Sequence, residues 1–141
     1  MATTETNIAV SNSTNTELNE RSKLYLAGIN VTHSIAPPMH EFIATSLSLP
    51  WTFTKAECPT ISSVLTLFRQ PSFAGGVVTM PYKQAIIPYL DERDPLCEML
   101  GACNNVYLTP EGKLRGTNTD WRGIKGCLLE GEKRAGKAEG E

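Results

Sequence analysis

Four short polar clusters carry the side chains that could do chemistry: Thr32-His33-Ser34, Thr79 to Lys83, Asn104-Asn105 and Asn118-Thr119-Asp120. They hold hydroxyls, amides, one ammonium and one carboxylate. Such a set can bind a small polar ligand, for example an anion. The clusters fall where segments of strand character end, and open α/β sheets bind ligands near the carboxyl ends of their strands. Other chemistries lack their residues. No G-x-G-x-x-G fingerprint exists, since Gly28 and the pair Gly75-Gly76 are wrongly spaced for one, and no Walker loop is present. Cys58, Cys97, Cys103 and Cys127 form no C-x-x-C pair and have no histidine nearby in sequence, so they read as free, partly buried thiols, not zinc ligands. His33 and His40 read as packing or hydrogen-bonding residues.

Positioning these groups requires a fold, and the composition allows a modest one. The 141 residues are 40% hydrophobic and 20% charged, a mixture typical of one soluble globular domain. Thirteen basic and fifteen acidic residues leave a net charge of −2, without the basic field that nucleic acid or an anionic membrane selects. No run of 18 apolar residues suggests a transmembrane helix. Residues 1–13 lack the basic and apolar stretches of a signal peptide, so a cytoplasmic location is expected.

Residues 1–22 are polar and aperiodic and are expected to be a disordered leader. The folded part is placed at 23–130. Leu24 to Ile29, Trp51 to Thr54 and Phe73 to Thr79 read as strands. Helices are expected after Pro37-Pro38, over Pro59 to Phe68, over Pro81 to Leu90 where Pro88 limits it, and briefly over Leu96 to Leu100. In the first of these, Met39, Phe42, Ile43, Ser46 and Leu47 form the expected core-facing stripe. Thr109-Pro110-Glu111-Gly112 has turn composition and predicts a hairpin between Asn105–Leu108 and Lys113–Gly116. Asp120 can cap a last helix whose apolar face is Trp121, Ile124, Cys127 and Leu128. Residues 131–141 read as a charged tail, a frayed helix end or the start of a linker. The order predicts a three-layer α/β/α domain with a mixed, mainly parallel sheet.

The polar clusters also carry a resemblance. Gly28 leads to His33-Ser34-Ile35-Ala36-Pro37-Pro38-Met39-His40, and Gly75-Gly76-Val77-Val78-Thr79-Met80-Pro81-Tyr82-Lys83 follows. Then come Gly101-Ala102-Cys103-Asn104-Asn105 and Gly116-Thr117-Asn118-Thr119-Asp120-Trp121. In this order the four motifs resemble the N-terminal substrate-binding domain of the shikimate and quinate dehydrogenases, with a fungal style around Asp120. The resemblance implies reversible interconversion of 3-dehydroshikimate and shikimate, or quinate oxidation, within the chorismate pathway to aromatic amino acids or beside it. It implies Lys83 and Asp120 as the catalytic pair. An ammonium held by a carboxylate can donate the proton that a forming alkoxide needs and can stabilise its charge. It further implies Asn104 and Thr79 on ring hydroxyls and Ser34 on the substrate carboxylate.

The departures from the family pattern are specific. Its second serine is Ala36, which removes one hydroxyl donor to a charged ligand, a loss of roughly 1.5–3 kcal/mol or about tenfold or more in affinity. The asparagine before Val-Thr is Val77, the threonine after Asn104 is Asn105, and the glycine after Asp120 is Trp121. Shikimate, quinate and another cyclic polyol acid all stay open as ligands. The family's NADP is implied through a further C-terminal domain with its own glycine fingerprint, to which residues 131–141 would start the linker. The chain alone is therefore expected to bind no cofactor and to be inactive as a dehydrogenase. Its partners are the ring ligand and either that domain or a second copy. The alternative is a non-catalytic sensor or regulatory domain of the shikimate and quinate pathways.

Overall fold

The computed structural model describes residues 22–138, so the polar leader expected over 1–22 lies outside it except for Ser22. Strand β1 (Lys23–Gly28) is followed by α1 (Ala36–Ser46), β2 (Thr52–Glu57), α2 (Ile61–Phe68), β3 (Phe73–Val78) and the single turn α3 (Tyr82–Ala85). A 3-10 turn (Ile87–Tyr89), β4 (Glu92–Arg93), α4 (Pro95–Leu100), β5 (Asn105–Leu108), β6 (Leu114–Thr117) and α5 (Asp120–Ala138) complete it. The six strands form one sheet in the order β2-β1-β3-β5-β6-β4. Only β5 among them runs against the rest, pairing antiparallel with both β3 and β6. The sheet is mixed and mainly parallel, as the element order implied.

Alternation along β1 divides the molecule into layers, because successive strand side chains point to opposite faces. Tyr25 and Ala27 face a large core with Val64 and Phe68 of α2, Tyr82 and Ile86 around α3, and Cys97 of α4. Leu24 and Leu26 face the other way, into a small cluster with Val31, Phe53, Ala36 and Val77 beside α1. Local sequence explains the element ends. Thr60 caps α2 reciprocally with Ser63, accepting from its N–H at 3.2 Å while Ser63 Oγ accepts from Thr60 N at 3.3 Å. Asp94 caps α4 on Cys97 N at 2.6 Å, and Gly101 closes that helix with φ of 60°.

The structure differs from the sequence reading in three elements. The expected stripe of α1 faces solvent: Phe42 is 75% and Leu47 64% exposed, while Pro37 and Ala44 are buried. Small residues and a flat imidazole let the helix sit close to the sheet, with His40 stacked on Phe53 at 4.6 Å between ring centroids. Over Pro81 to Leu90 the helix is limited as Pro88 implies, split into a turn of α-helix and a 3-10 turn, because Pro88 lacks the N–H to continue it. The last helix also differs. α5 runs on to Ala138, through the segment read as a frayed helix end or linker, and its residues from Arg122 to Gly136 are exposed. Ile124 and Leu128 therefore pack on neither face of the sheet. The two-residue β4 has no counterpart in the reading, because so short a segment shows no period.

Candidate active site

The carboxyl end of β3 delivers two of the candidate residues. Thr79 follows the strand, and its N–H donates to Ala27 O at 3.0 Å. A cis Met80–Pro81 peptide then turns the chain into α3, where Lys83 sits in the first turn. Tyr82 anchors this turn in the core. Its hydroxyl donates to Cys58 O at 2.8 Å, and burial pushes its pKa above the ordinary phenol value. Gly28 allows the approach of Thr79 to β1: a Cβ there would stand 2.3 Å from Thr79 Cγ2 and 2.9 Å from Met80 O.

Lys83 and Asp120, 37 residues apart in sequence, meet at the sheet's end. Lys83 Nζ donates to Asp120 Oδ2 at 2.5 Å, with the side chains 29% and 41% exposed. The other carboxylate oxygen accepts from Asn104 Nδ2 at 2.7 Å. Asp120 does not use its side chain as the helix cap that the reading allowed. That role falls to Asn118, whose Oδ1 accepts from Asp120 N at 3.0 Å while its Nδ2 donates to Ala102 O at 2.8 Å. The buried Asn104 lies just before β5, where its backbone accepts from Val78 N at 2.8 Å. Cys103 N donates to Lys83 O at 2.7 Å, tying the lysine turn to the same segment. Lys83, Thr119 and Asp120 line an open hollow of about 790 Å³ whose remaining wall is the apolar start of α5.

Ser34 lies apart from that network. It lines a separate cavity of about 500 Å³, with Thr79 and with apolar Leu26, Ile29 and Ile35. The loop carrying it is held mainly through its backbone. Glu57, at the end of β2, accepts from Asn30 N at 2.6 Å and Val31 N at 3.2 Å, and Lys55 Nζ donates to Thr32 O at 2.6 Å. Ser34 Oγ accepts from Ala36 N at 3.2 Å, which leaves its hydroxyl proton for a ligand. Of the five residues singled out by sequence, Lys83, Asn104 and Asp120 share one network. Ser34 and Thr79 share the second cavity, joined to the first by the turn Thr79–Tyr82.

Thr119, Asn105, Asn118 and Glu57 were not among the five. The first three lie in the polar clusters visible in sequence, but only the fold shows that they bond to Asn104 and Asp120. Glu57 gives no local signal, since an acidic residue at a strand end is commonplace. Burial disfavours the thiolate form of the three buried cysteines. Burial and the neighbouring Cys97 push Cys103 up to about 12, and burial also raises Cys58 and Cys97. Among the described residues no group of three His, Cys, Asp or Glu could hold a metal ion, and no helix is long and apolar enough to cross a membrane.

Residues 26–106 match the family described as the shikimate dehydrogenase substrate binding domain. The chain belongs to this family. It is 41% identical over 123 residues to a quinate dehydrogenase of Emericella nidulans, a match that covers 76% of this chain and 37% of that protein. The solved dehydroquinate dehydratase and shikimate dehydrogenase from S. pombe AroM superposes with a TM-score of 0.72 at 34% identity, over 77% of this chain and 21% of that one. The shikimate dehydrogenase of Thermus thermophilus, solved with NADP(H) and shikimate, gives 0.70 at 33% identity, over 79% of this chain and 42% of that one. The chain thus spans well under half the length of these relatives.

Proposed function

We propose that this chain is the substrate-binding and proton-transferring half of an NADP-dependent shikimate or quinate dehydrogenase. The observation that carries the reading is the Lys83–Asp120 ion pair at 2.5 Å, held from its far side by Asn104 at 2.7 Å. Neither charge is fully buried, so the pair faces the open hollow and is not sealed into a core. Lys83 spends one of its three N–H donors on Asp120. The others can reach the oxygen of a ring ketone in the hollow. When that ketone is reduced, Lys83 Nζ gives its proton to the oxygen and Asp120 holds the lysine in line. In the reverse direction the neutral amine takes the hydroxyl proton back.

Ser34 and Thr79 take the other end of the ligand. Their cavity offers hydroxyl donors among apolar walls and, with Ala36 in place of a serine, one donor fewer than the family pattern. The relatives named for quinate and shikimate support a cyclic polyol acid as ligand. The described residues do not fit a nicotinamide dinucleotide. The first strand-to-helix turn is closed at Gly28, where Thr79 fills the space through which a pyrophosphate would approach. Hydride transfer is therefore assigned to groups outside these residues. The retained ion pair favours this reading over a sensor that binds without turnover.

Calorimetric titration of the chain with quinate and with shikimate tests the proposal. Saturable binding of one of them is expected, with about tenfold or greater weakening in Lys83→Met as a charged hydrogen bond is lost. Failure of the folded chain to bind either, or equal binding by Lys83→Met, overturns it.

A further inference from the structure

A third cavity lies at the opposite end of the sheet from Lys83 and Asp120. The link between α2 and β3 and the β5–β6 hairpin enclose about 400 Å³ there, lined in part by Arg69, Gln70 and Asp91. Strand β3 begins beside this cavity at Phe73 and ends at Val78, next to Thr79. Six strand residues at about 3.3 Å each place the two ends roughly 17 Å apart.

The cavity holds opposite charges that do not neutralise each other. Arg69 follows the last turn of α2, where its N–H donates to Leu65 O at 3.1 Å. Among the described residues its guanidinium joins no ion pair, with Asp91 or with any other carboxylate. Gln70 Oε1 accepts from the Tyr25 hydroxyl at 3.1 Å, which leaves the amide nitrogen to donate elsewhere. Asp91 is fixed by the sheet. Its N–H donates to Leu114 O at 2.9 Å, and its Oδ2 accepts from Leu114 N at 2.8 Å. Oδ1 is left with its lone pairs. An anion on Arg69 would lie in the field of the Asp91 carboxylate, and a cation on Asp91 in that of the guanidinium, so a singly charged ligand is repelled by one of them. A ligand that carries both charges is attracted by both. A guanidinium suits a carboxylate, and an ammonium has three N–H donors for Oδ1. Space for the rest of such a ligand lies beside Gly112, where an added Cβ would meet nothing within 4 Å, and against the apolar Pro71 and Leu108.

We propose that this cavity binds a free amino acid, with its carboxylate on Arg69 and the Gln70 amide and its ammonium on Asp91. The site shares no residue with the Lys83–Asp120 hollow or the Ser34 cavity, and it goes beyond the dehydrogenase reading without resting on it.

Calorimetric titration of the full chain with L-leucine tests the proposal. The paired probes are N-acetyl-L-leucine, which lacks the ammonium, and L-leucinamide, which lacks the carboxylate. L-Leucine should bind saturably, and each blocked form about tenfold more weakly or worse, since one charged contact is lost. Arg69→Gln removes no ion pair within the described residues and should weaken L-leucine about tenfold. Asp91→Asn keeps an oxygen for Leu114 N and should weaken it by a similar factor. Amide shifts on titration should centre on Gln70, Asp91, Gly112 and Leu114 and spare Lys83 and Asp120. The proposal is overturned if the folded chain does not bind L-leucine, if either blocked form binds as tightly, if Arg69→Gln binds as the native chain does, or if the shifts centre on Lys83 and Asp120. No ring ligand enters these measurements, so the dehydrogenase reading stands or falls separately.

Discussion

The two halves of the candidate site are built in different ways. Around Lys83 and Asp120, side chains bond to side chains: Asn104, Asn105, Thr119 and the ion pair share one continuous network. Around Ser34, the loop is steered through its backbone by Glu57 and Lys55, and the cavity walls are largely apolar. A networked site is intolerant, because removing one member strands its partners in a partly buried setting. A loop pinned by its backbone tolerates exchange of the side chains it carries. The departures from the family pattern fall on both sides: Ala36 and Val77 beside Leu26 and Val31, and Asn105 and Trp121 beside the network, where Lys83, Asn104 and Asp120 are retained.

The largest effect is expected where the two halves touch. Gly28→Ala would push a methyl into Thr79 and the Met80 carbonyl, and should destabilise the chain by about 3 kcal/mol in urea unfolding. A loss under about 1 kcal/mol would mean that the halves are not locked together there. Next, Asn104→Ala strands the Thr119 N–H and one Asp120 oxygen, and should cost about 2 kcal/mol. Glu57→Ala frees two backbone N–H groups on an exposed loop and should cost about 1 kcal/mol. If Glu57→Ala proves the more damaging of the two, the contrast between network and loop is wrong. Thr60→Ala serves as a control distant from both halves: it should lose about 1 kcal/mol of helix capping without altering ligand affinity.

Alkaline pH offers a test that bypasses ligand. Cys103, directly before Asn104, is raised from an ordinary 9.0 to about 12 when folded. The folded state then holds a proton that the unfolded state gives up. This contribution to stability is complete below the ordinary 9.0 and is lost as the pH rises toward about 12. Cys103→Ala should flatten that fall, and an identical profile for the variant would contradict the assigned burial.

Much of this was legible in sequence for identifiable reasons. Strands with turn residues at their ends mark β1, β3 and the β5–β6 hairpin. Four motifs in order place Lys83 and Asp120 in one site despite their 37-residue separation. What escaped depends on packing. Met39, Phe42 and Leu47 have the periodicity of a core face, yet α1 turns Pro37 and Ala44 inward because the sheet there requires short side chains. Ile124 and Leu128 likewise have core spacing on a helix that leaves the sheet after Trp121. The bonds of Thr119 to Asn104 and Asn105 join residues 15 and 14 positions apart, and no spacing rule encodes them.

Under the proposed function both halves bind one ligand, with Lys83 and Asp120 at its reacting oxygen. Amide chemical-shift mapping of the chain during titration with quinate and shikimate tests it most directly. Saturable shifts with one dissociation constant are expected at Ser34, Thr79, Lys83, Asn104 and Asp120. No shifts from a folded sample at millimolar ligand, or shifts that spare Lys83 and Asp120, would contradict it.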